Sequence, residues 1–436
     1  MAAALASKGF QVIGVDVDQG YVDDLNRGKA PVEEPGLQEL ITRGRANLRA
    51  TSDLHEAVSN TTISCVVVPT PSNPDGAFSL EYVAGVAKQI GQSLRTAVRY
   101  HLVTVVSTVM PGDTERIRAV IEQSSSKSCG AGFGLCYSPE FIALGRVIHG
   151  LLNPDLVLIG ESDNRAGDRY AAMILGLVDN RPPLARMNFV NAELTKLAIN
   201  AYVTTKITYA NMLAWICDRT PGADVTTVTD AVGLDSRIGP KYLRGALAYG
   251  GPCFPRDNLA FSQAANRVGA QSPLAEATHS FNLLQTQLLV EKVREHLEPG
   301  GRVAVLGLAY KPNTPVVEES PSLSLIEKLA EAGYEICAYD PMAMESAQLA
   351  LGVEIVWARS PREAMDRSDL TLIMTPWEEF RGIGHSNHTS GDRRAVIIDA
   401  WRILDRSSFE GTAQIVYLGV GPSGKQAEIQ ALSSGT

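Results

Sequence analysis

Apolar residues run along this chain in two rhythms. Phe10–Val15, Ile63–Val68, Leu102–Val106 and Leu156–Ile159 are short runs, apolar on both faces and bounded by polar, Gly or Pro residues. That pattern predicts buried strands of a parallel sheet. Helical stretches alternate with them, which is the βαβ rhythm of a doubly wound sheet. From Asn191 to about His296 helical patterning dominates. Ala192–Arg219 keeps apolar residues at helical spacing, with no proline until Pro221. It predicts one helix of ~28 residues, ~42 Å long at a rise of 1.5 Å per residue. Pro299-Gly300-Gly301 then breaks the pattern. The βα rhythm restarts with Arg302–Gly307, Glu335–Tyr339, Asp369–Met374 and Ala395–Ile398 as strands.

The expected architecture is α/β: two Rossmann-like doubly wound parallel-sheet domains, residues 1–190 and 299–420, joined by a helical connector, 191–298, with a long central helix. The small, polar stretch 421–436 reads as a frayed tail.

Composition narrows the partners. The 436 residues carry a net charge of −9, which argues against a nucleic-acid partner, though local cations can still bind a phosphorylated small molecule. No apolar run reaches the ~18 residues of a membrane span. The six cysteines include no C-x-x-C pair, so no zinc motif is visible and no metal is expected. Unpaired thiols without a signal peptide read as a reducing, cytoplasmic setting.

Several segments carry candidate chemistry. The Val12–Asp18 run ends a strand with an acid, Asp16. An acid there accepts hydrogen bonds from adenosine ribose hydroxyls and repels a 2′-phosphate, favouring NAD over NADP; an acidic surface loop is the plainer reading. Met1–Gly9 reads as the helix that follows a glycine-rich phosphate turn, so strand and turn are expected ahead of Met1. Ser107 and Thr108 follow an apolar strand, at the rim where such sheets bind ligands. Glu140, in Tyr137-Ser138-Pro139-Glu140-Phe141, is a general-base candidate. Glu193, Lys196 and Asn200 share one helical face, either as an oxyanion site or, for the first two, as a solvated ion pair. The most informative segment is Gly250-Gly251-Pro252-Cys253-Phe254-Pro255-Arg256-Asp257. Its glycines and prolines exclude a regular element and frame one thiol, beside an arginine able to stabilise a thiolate.

In order along the chain, VDVD at 15–18, STV-x-PG at 107–112, SPEF at 138–141, E-x-x-K-x-x-x-N at 193–200, GG-x-CFPRD at 250–257 and GLAYKPNT at 307–314 resemble the UDP-glucose/GDP-mannose dehydrogenase family. The resemblance runs from residue 1 to about 410. It implies two successive NAD-dependent hydride transfers at one carbon, with Cys253 as nucleophile. It implies Lys196 and Asn200 as oxyanion donors, Asp257 as a proton-transfer partner through water, and Glu140 and Thr108 at the hydrolytic water. Asp16, Thr70, Ser107, Thr108, Glu140 and Arg256 would meet NAD. Glu140, Lys196, Asn200, Arg237, Tyr242, Arg244, Tyr249, Gly250, Lys311 and Arg402 would meet the UDP-sugar. The wording around Cys253 is similar to that of enzymes acting on UDP-glucose. The Pro139–Gly145 segment resembles relatives acting on UDP-N-acetylhexosamines, the second reading; a nucleotide-sugar-binding or scaffold protein without turnover is the third. A homodimer or higher homo-oligomer is expected.

Overall fold

The computed structural model describes residues 1–383, 389–390 and 393–422. They form two compact units, Met1–Ile199 with Gln263–Ala270, and Asn200–Ser262 with the rest from Gln271.

In the first unit β1 (Val12–Val15) pairs in parallel with β2 (Leu48–Thr51) as a separate two-stranded sheet. A five-stranded sheet follows in the order β3 (Ile63–Val66), β4 (His101–Val105), β5 (Phe133–Tyr137), β6 (Val157–Glu161), β7 (Leu184–Met187). All of its pairs are parallel except β5–β6, so the Leu156–Ile159 run runs antiparallel to β5 and parallel only to β7. β4 and β5 are buried at every position. Their Leu102, Val103, Val105, Phe133 and Leu135 are sealed from solvent, at ~1.5–3 kcal/mol for each large side chain. Phe10–Val15 and Ile63–Val68 depart from the expectation of full burial, because β1 and β3 each have one strand neighbour and sit at sheet edges.

The long helix spans Phe189–Asp218, 30 residues. It starts earlier than the apolar pattern indicates because the Asn188 side chain accepts the Asn191 N–H at 3.0 Å and caps the first turn. It ends just before Pro221, which cannot continue it.

The second unit's sheet runs β10 (Val356–Trp357), β9 (Glu335–Tyr339), β8 (Arg302–Leu306), β11 (Leu370–Ile373), β13 (Arg393–Asp399), β14 (Ala413–Tyr417), all parallel, with β12 (Thr389–Ser390) antiparallel on β13. Counted from β8 and leaving out β12, the spatial order is 3-2-1-4-5-6, the doubly wound dinucleotide-fold order. Residues 421 and 422, expected to fray, are tied down: Gly421 N donates to the Ala223 carbonyl at 2.9 Å and Gly222 N to the Pro422 carbonyl at 3.2 Å. The tail from 423 lies outside the described residues. Among the described residues no helix is long and apolar enough to cross a membrane.

Candidate active site

The expectation of no regular element across 250–257 holds only as far as Cys253. Residues 250–253 are irregular, but Phe254–Arg267 is a helix, because Pro255 falls in its first turn, where its missing N–H breaks no helical bond. The Cys253 carbonyl accepts the Asp257 N–H at 2.8 Å, which makes Cys253 the residue that opens the helix. Its thiol is exposed, unlike those of the other five cysteines. A thiol at a helix N-terminus is favoured as the thiolate by the helix dipole. Burial pushes the other thiols up, Cys65 to about 12, with Cys129, Cys136, Cys217 and Cys337 raised for the same reason.

One turn on, Asp257 is buried with both oxygens engaged. Asn200 Nδ2 donates to Oδ2 at 2.6 Å, and Arg256 donates to Oδ1 from Nη2 at 3.2 Å and Nε at 3.3 Å. The structure therefore joins the buried Asn200 and Asp257 and the half-buried Arg256 in one cluster. The turn leading into the cysteine loop is clamped from two helices. Asn282 accepts from Tyr249 N at 2.9 Å and donates to Tyr249 O at 3.0 Å. Asn211 does the same for Ala246 N and Leu247 O, at 2.9 and 2.8 Å. Neither asparagine was singled out from sequence, although a buried amide inside a helix is the available signal, since Asn competes with helical hydrogen bonding.

Gly250 lies against the 307–321 segment: a Cβ there would stand 2.1 Å from the Glu319 carbonyl oxygen. Gly251 N donates to Glu318 O at 3.0 Å. Tyr242, Asn313, Glu319 and Arg402 all have positive φ, a strained conformation for non-glycine residues, and all lie in or beside segments expected to hold the UDP-sugar. Tyr249 is buried, whereas Tyr242, Arg237 and Arg244 are exposed and Lys311 is half-buried. Arg237 pairs with Asp235 at 2.6 Å. Arg402 is turned to Asp224 at 2.7 Å and to the carbonyls of Leu418 and Gly419, so its guanidinium ties β14 to the helix Val225–Leu234.

In the first unit, the Ser107 hydroxyl accepts from Val68 N at 2.9 Å and donates to Val68 O at 2.6 Å, locking the segment after β3 to the end of β4. Thr108 is half-buried beside it and Thr70 is buried. Lys196, buried, donates from Nζ to the Glu140 carbonyl at 2.8 Å, and its ammonium stands 4.4 Å from the centre of the Phe141 ring. Burial raises the Glu140 carboxyl above the usual carboxylate range. Glu193 is not ion-paired to Lys196. It accepts the N–H groups of Gly112 at 2.6 Å and Thr114 at 2.7 Å, at the start of the helix Asp113–Ser125. The long helix thus holds two loops of this unit, one through Glu193 and one through Lys196.

Asp16 is exposed at the carboxyl end of β1, with Oδ1 accepting the Asp18 N–H at 2.9 Å. The exposed Val15, Val17 and Val67 lie in sequence just after or at the ends of β1 and β3. An acid flanked by apolar side chains suits a ribose and the base it carries.

Three descriptions of one family match the chain: the "UDP-glucose/GDP-mannose dehydrogenase family, NAD binding domain" over residues 1–174, its central domain over 190–283 and its UDP binding domain over 304–406. A UDP-glucose 6-dehydrogenase of Haloferax volcanii is 36% identical over 411 residues, covering 93% of this chain and 94% of the relative. A GDP-mannose 6-dehydrogenase of Pseudomonas putida is 32% identical over 397 residues, covering 88% and 89%. The solved UDP-glucose dehydrogenase of Pyrobaculum islandicum superposes with a TM-score of 0.86 at 33% identity, covering 97% of this chain and 94% of that one. Doubly wound sheets and these matches define an NAD-dependent oxidoreductase. The chain belongs to the UDP-glucose/GDP-mannose dehydrogenase family, the nucleotide-sugar 6-dehydrogenases. NAD is its cofactor.

Proposed function

We propose that the chain oxidises UDP-glucose to UDP-glucuronate in two steps through a covalent bond to Cys253. The observation that carries this reading is the exposed Cys253 thiol at a helix N-terminus, one turn before a buried Asp257 fixed by Asn200 and Arg256. NAD, when bound, accepts a hydride in each oxidation. Lys196 and Asn200 stabilise the alkoxide at C6 as its proton leaves, and Asp257 passes that proton to water. The Cys253 sulfur adds to the aldehyde carbon, giving a thiohemiacetal that keeps the aldehyde from escaping and still carries a C–H. The second oxidation turns this adduct into a thioester. Water then adds to the acyl carbon, the C–S bond breaks and the carboxylate leaves, with Glu140 and Thr108 holding that water. The two hydrides require two NAD per sugar.

Two choices rest on the relatives' names and on the cysteine segment: UDP over GDP, and glucose over an N-acetylhexosamine. NADH formation against UDP-glucose, UDP-N-acetylglucosamine, UDP-N-acetylmannosamine and GDP-mannose tests them. UDP-glucose should give two NADH per sugar consumed; a ratio of one, or turnover of another sugar alone, would overturn the proposal. We also infer a homo-oligomer built on the long helix, where the exposed Tyr202, Tyr209 and Ile216 recur every seventh position on one face. A reducing compartment suits a catalytic thiol.

A further inference from the structure

Glu34 lies in the Lys29–Gly36 loop, after the helix Gln19–Arg27 that Asp18 caps. Its carboxylate reaches across 111 and 113 positions of sequence. Oε2 accepts the Gly145 N–H at 2.9 Å and Oε1 accepts the Val147 N–H at 2.8 Å. Gly145 has a φ of +73°, and Val147 opens the short helix Val147–Leu152. The same loop packs on that helix, since a Cβ on Gly36 would stand 4.0 Å from Ile148. These two N–H groups end the segment that begins at Glu140, whose carbonyl is held by Lys196. The segment is therefore pinned at one end by an ammonium and at the other by a carboxylate. A carboxylate can serve two diverging N–H groups at once, and the bonds are charge-assisted. A neutral amide offers one oxygen and turns an NH₂ toward the other donor.

We propose that Glu34 is a positioning residue for the Glu140 segment. It fixes the backbone from which the Glu140 carboxyl is presented, and so governs thioester hydrolysis without touching the sugar. The assignment rests on the role given above to Glu140, and the experiment separates the two. Hydrogen–deuterium exchange of the peptide covering 138–152 needs no turnover. In Glu34→Ala it should rise about tenfold or more at Gly145 and Val147, with β4 and β5 unchanged. In steady state, kcat of Glu34→Ala should fall about tenfold while KM for the UDP-sugar stays within about twofold. Glu34→Gln, which keeps one acceptor, should lie between Ala and wild type in both measurements. Unchanged exchange at 145 and 147, or a rise spread through β4 and β5, would overturn the positioning role. Local loosening with unchanged kcat would overturn the link to Glu140. Wild-type protein that makes no NADH from any UDP-sugar would sink the proposed reaction while leaving the exchange result to stand or fall alone.

Discussion

The Asp340 carboxylate fills the turn after β8: Oδ2 accepts the N–H groups of Leu308 at 2.7 Å and Ala309 at 3.0 Å. Oδ1 takes those of Met342 and Ala343, both at 2.8 Å, and Trp377 Nε1 donates to Oδ2 at 3.1 Å. In a dinucleotide fold that turn offers its N–H groups to pyrophosphate and the acid after the second strand faces ribose. Asp340 follows β9, the second strand of its sheet, and Asp16 likewise stands at the carboxyl end of a parallel strand, β1. Asp16 is exposed, but Asp340 is turned inward onto the donors a dinucleotide would use. The second sheet thus keeps the strand order, while Asp340 takes the N–H groups of Leu308 and Ala309.

Asp340→Ala should destabilise the second unit strongly, because five donors lose a shared acceptor. Each buried donor left unpaired costs about 1–3 kcal/mol, and a non-additive total of at least ~3 kcal/mol is expected. Denaturant unfolding measures it. A loss below ~1 kcal/mol would mean that water replaces the carboxylate.

Alkylation should single out Cys253. Iodoacetamide at neutral pH should label it first, since the other thiols are buried or partly buried and raised by desolvation. Mass spectrometry of tryptic peptides reads the order of labelling. Cys253→Ala should abolish acid formation, while Cys253→Ser should accumulate an ester, a poorer acyl donor than a thioester. Full turnover by the alanine variant would rule out the covalent route.

How far the sequence carried depends on the kind of interaction. The bounds of Glu335–Tyr339 could be read from its apolar run because parallel strands are covered on both faces. Short strands with polar or small residues inside, such as Leu48–Thr51 and Leu184–Met187, give no such run. Cys253 stood out because glycine and proline frame it. Glu34, Asp340 and Asn282 did not. Each acts on backbone groups brought near by folding, at separations of 31 to 113 positions that no local spacing encodes, Asp340 adding two local donors, Met342 and Ala343. Glu193 was visible as a member of a helical face, but its partners on another element were not.

Glu193 should give stability a distinctive pH dependence. Burial holds its carboxyl above the usual carboxylate range. A carboxyl raised in the folded state favours folding fully below its unfolded value of ~4.3, and that contribution is lost as pH rises through the folded value. The Tm difference between wild type and Glu193→Gln should therefore move against wild type as pH rises above ~4.3. A difference that is flat or moves toward wild type over that range would mean that Glu193 is ionised throughout, stabilised by the Gly112 and Thr114 N–H groups.

The Asn200–Asp257 bond should matter to turnover more than to folding. Asp257→Asn keeps the size and the burial but removes the charge that Arg256 and Asn200 both address. Loss of a positioned proton acceptor typically costs about 10²–10⁴ in rate. We expect kcat to fall by at least ~10², with Cys253 still open to alkylation. A variant with near wild-type kcat would reduce Asp257 to a structural support of the cysteine helix.

Gly250→Ala tests whether the cysteine loop must seat against the 307–321 segment. The new methyl would stand 2.1 Å from the Glu319 carbonyl oxygen and 3.0 Å from the Glu319 carbonyl carbon and Pro321 Cδ. These are backbone and ring atoms, which cannot rotate aside as a long side chain would. Glu319 already has a φ of +51°, and Gly251 N is bonded to Glu318 O. Relief therefore requires moving one backbone away from the other, and inserting a methyl into such a contact costs about 1–3 kcal/mol. Because Cys253 lies three residues on, the movement should reach the thiol. We expect a lower Tm, a higher KM for the UDP-sugar and an altered rate of Cys253 alkylation together, while NAD binding, assigned to the domain over residues 1–174, stays within about twofold. Thermal melting, steady-state kinetics and calorimetry with NAD read these separately. A variant with wild-type Tm and wild-type KM would mean that the loop does not seat against the Glu319 backbone as closely as this.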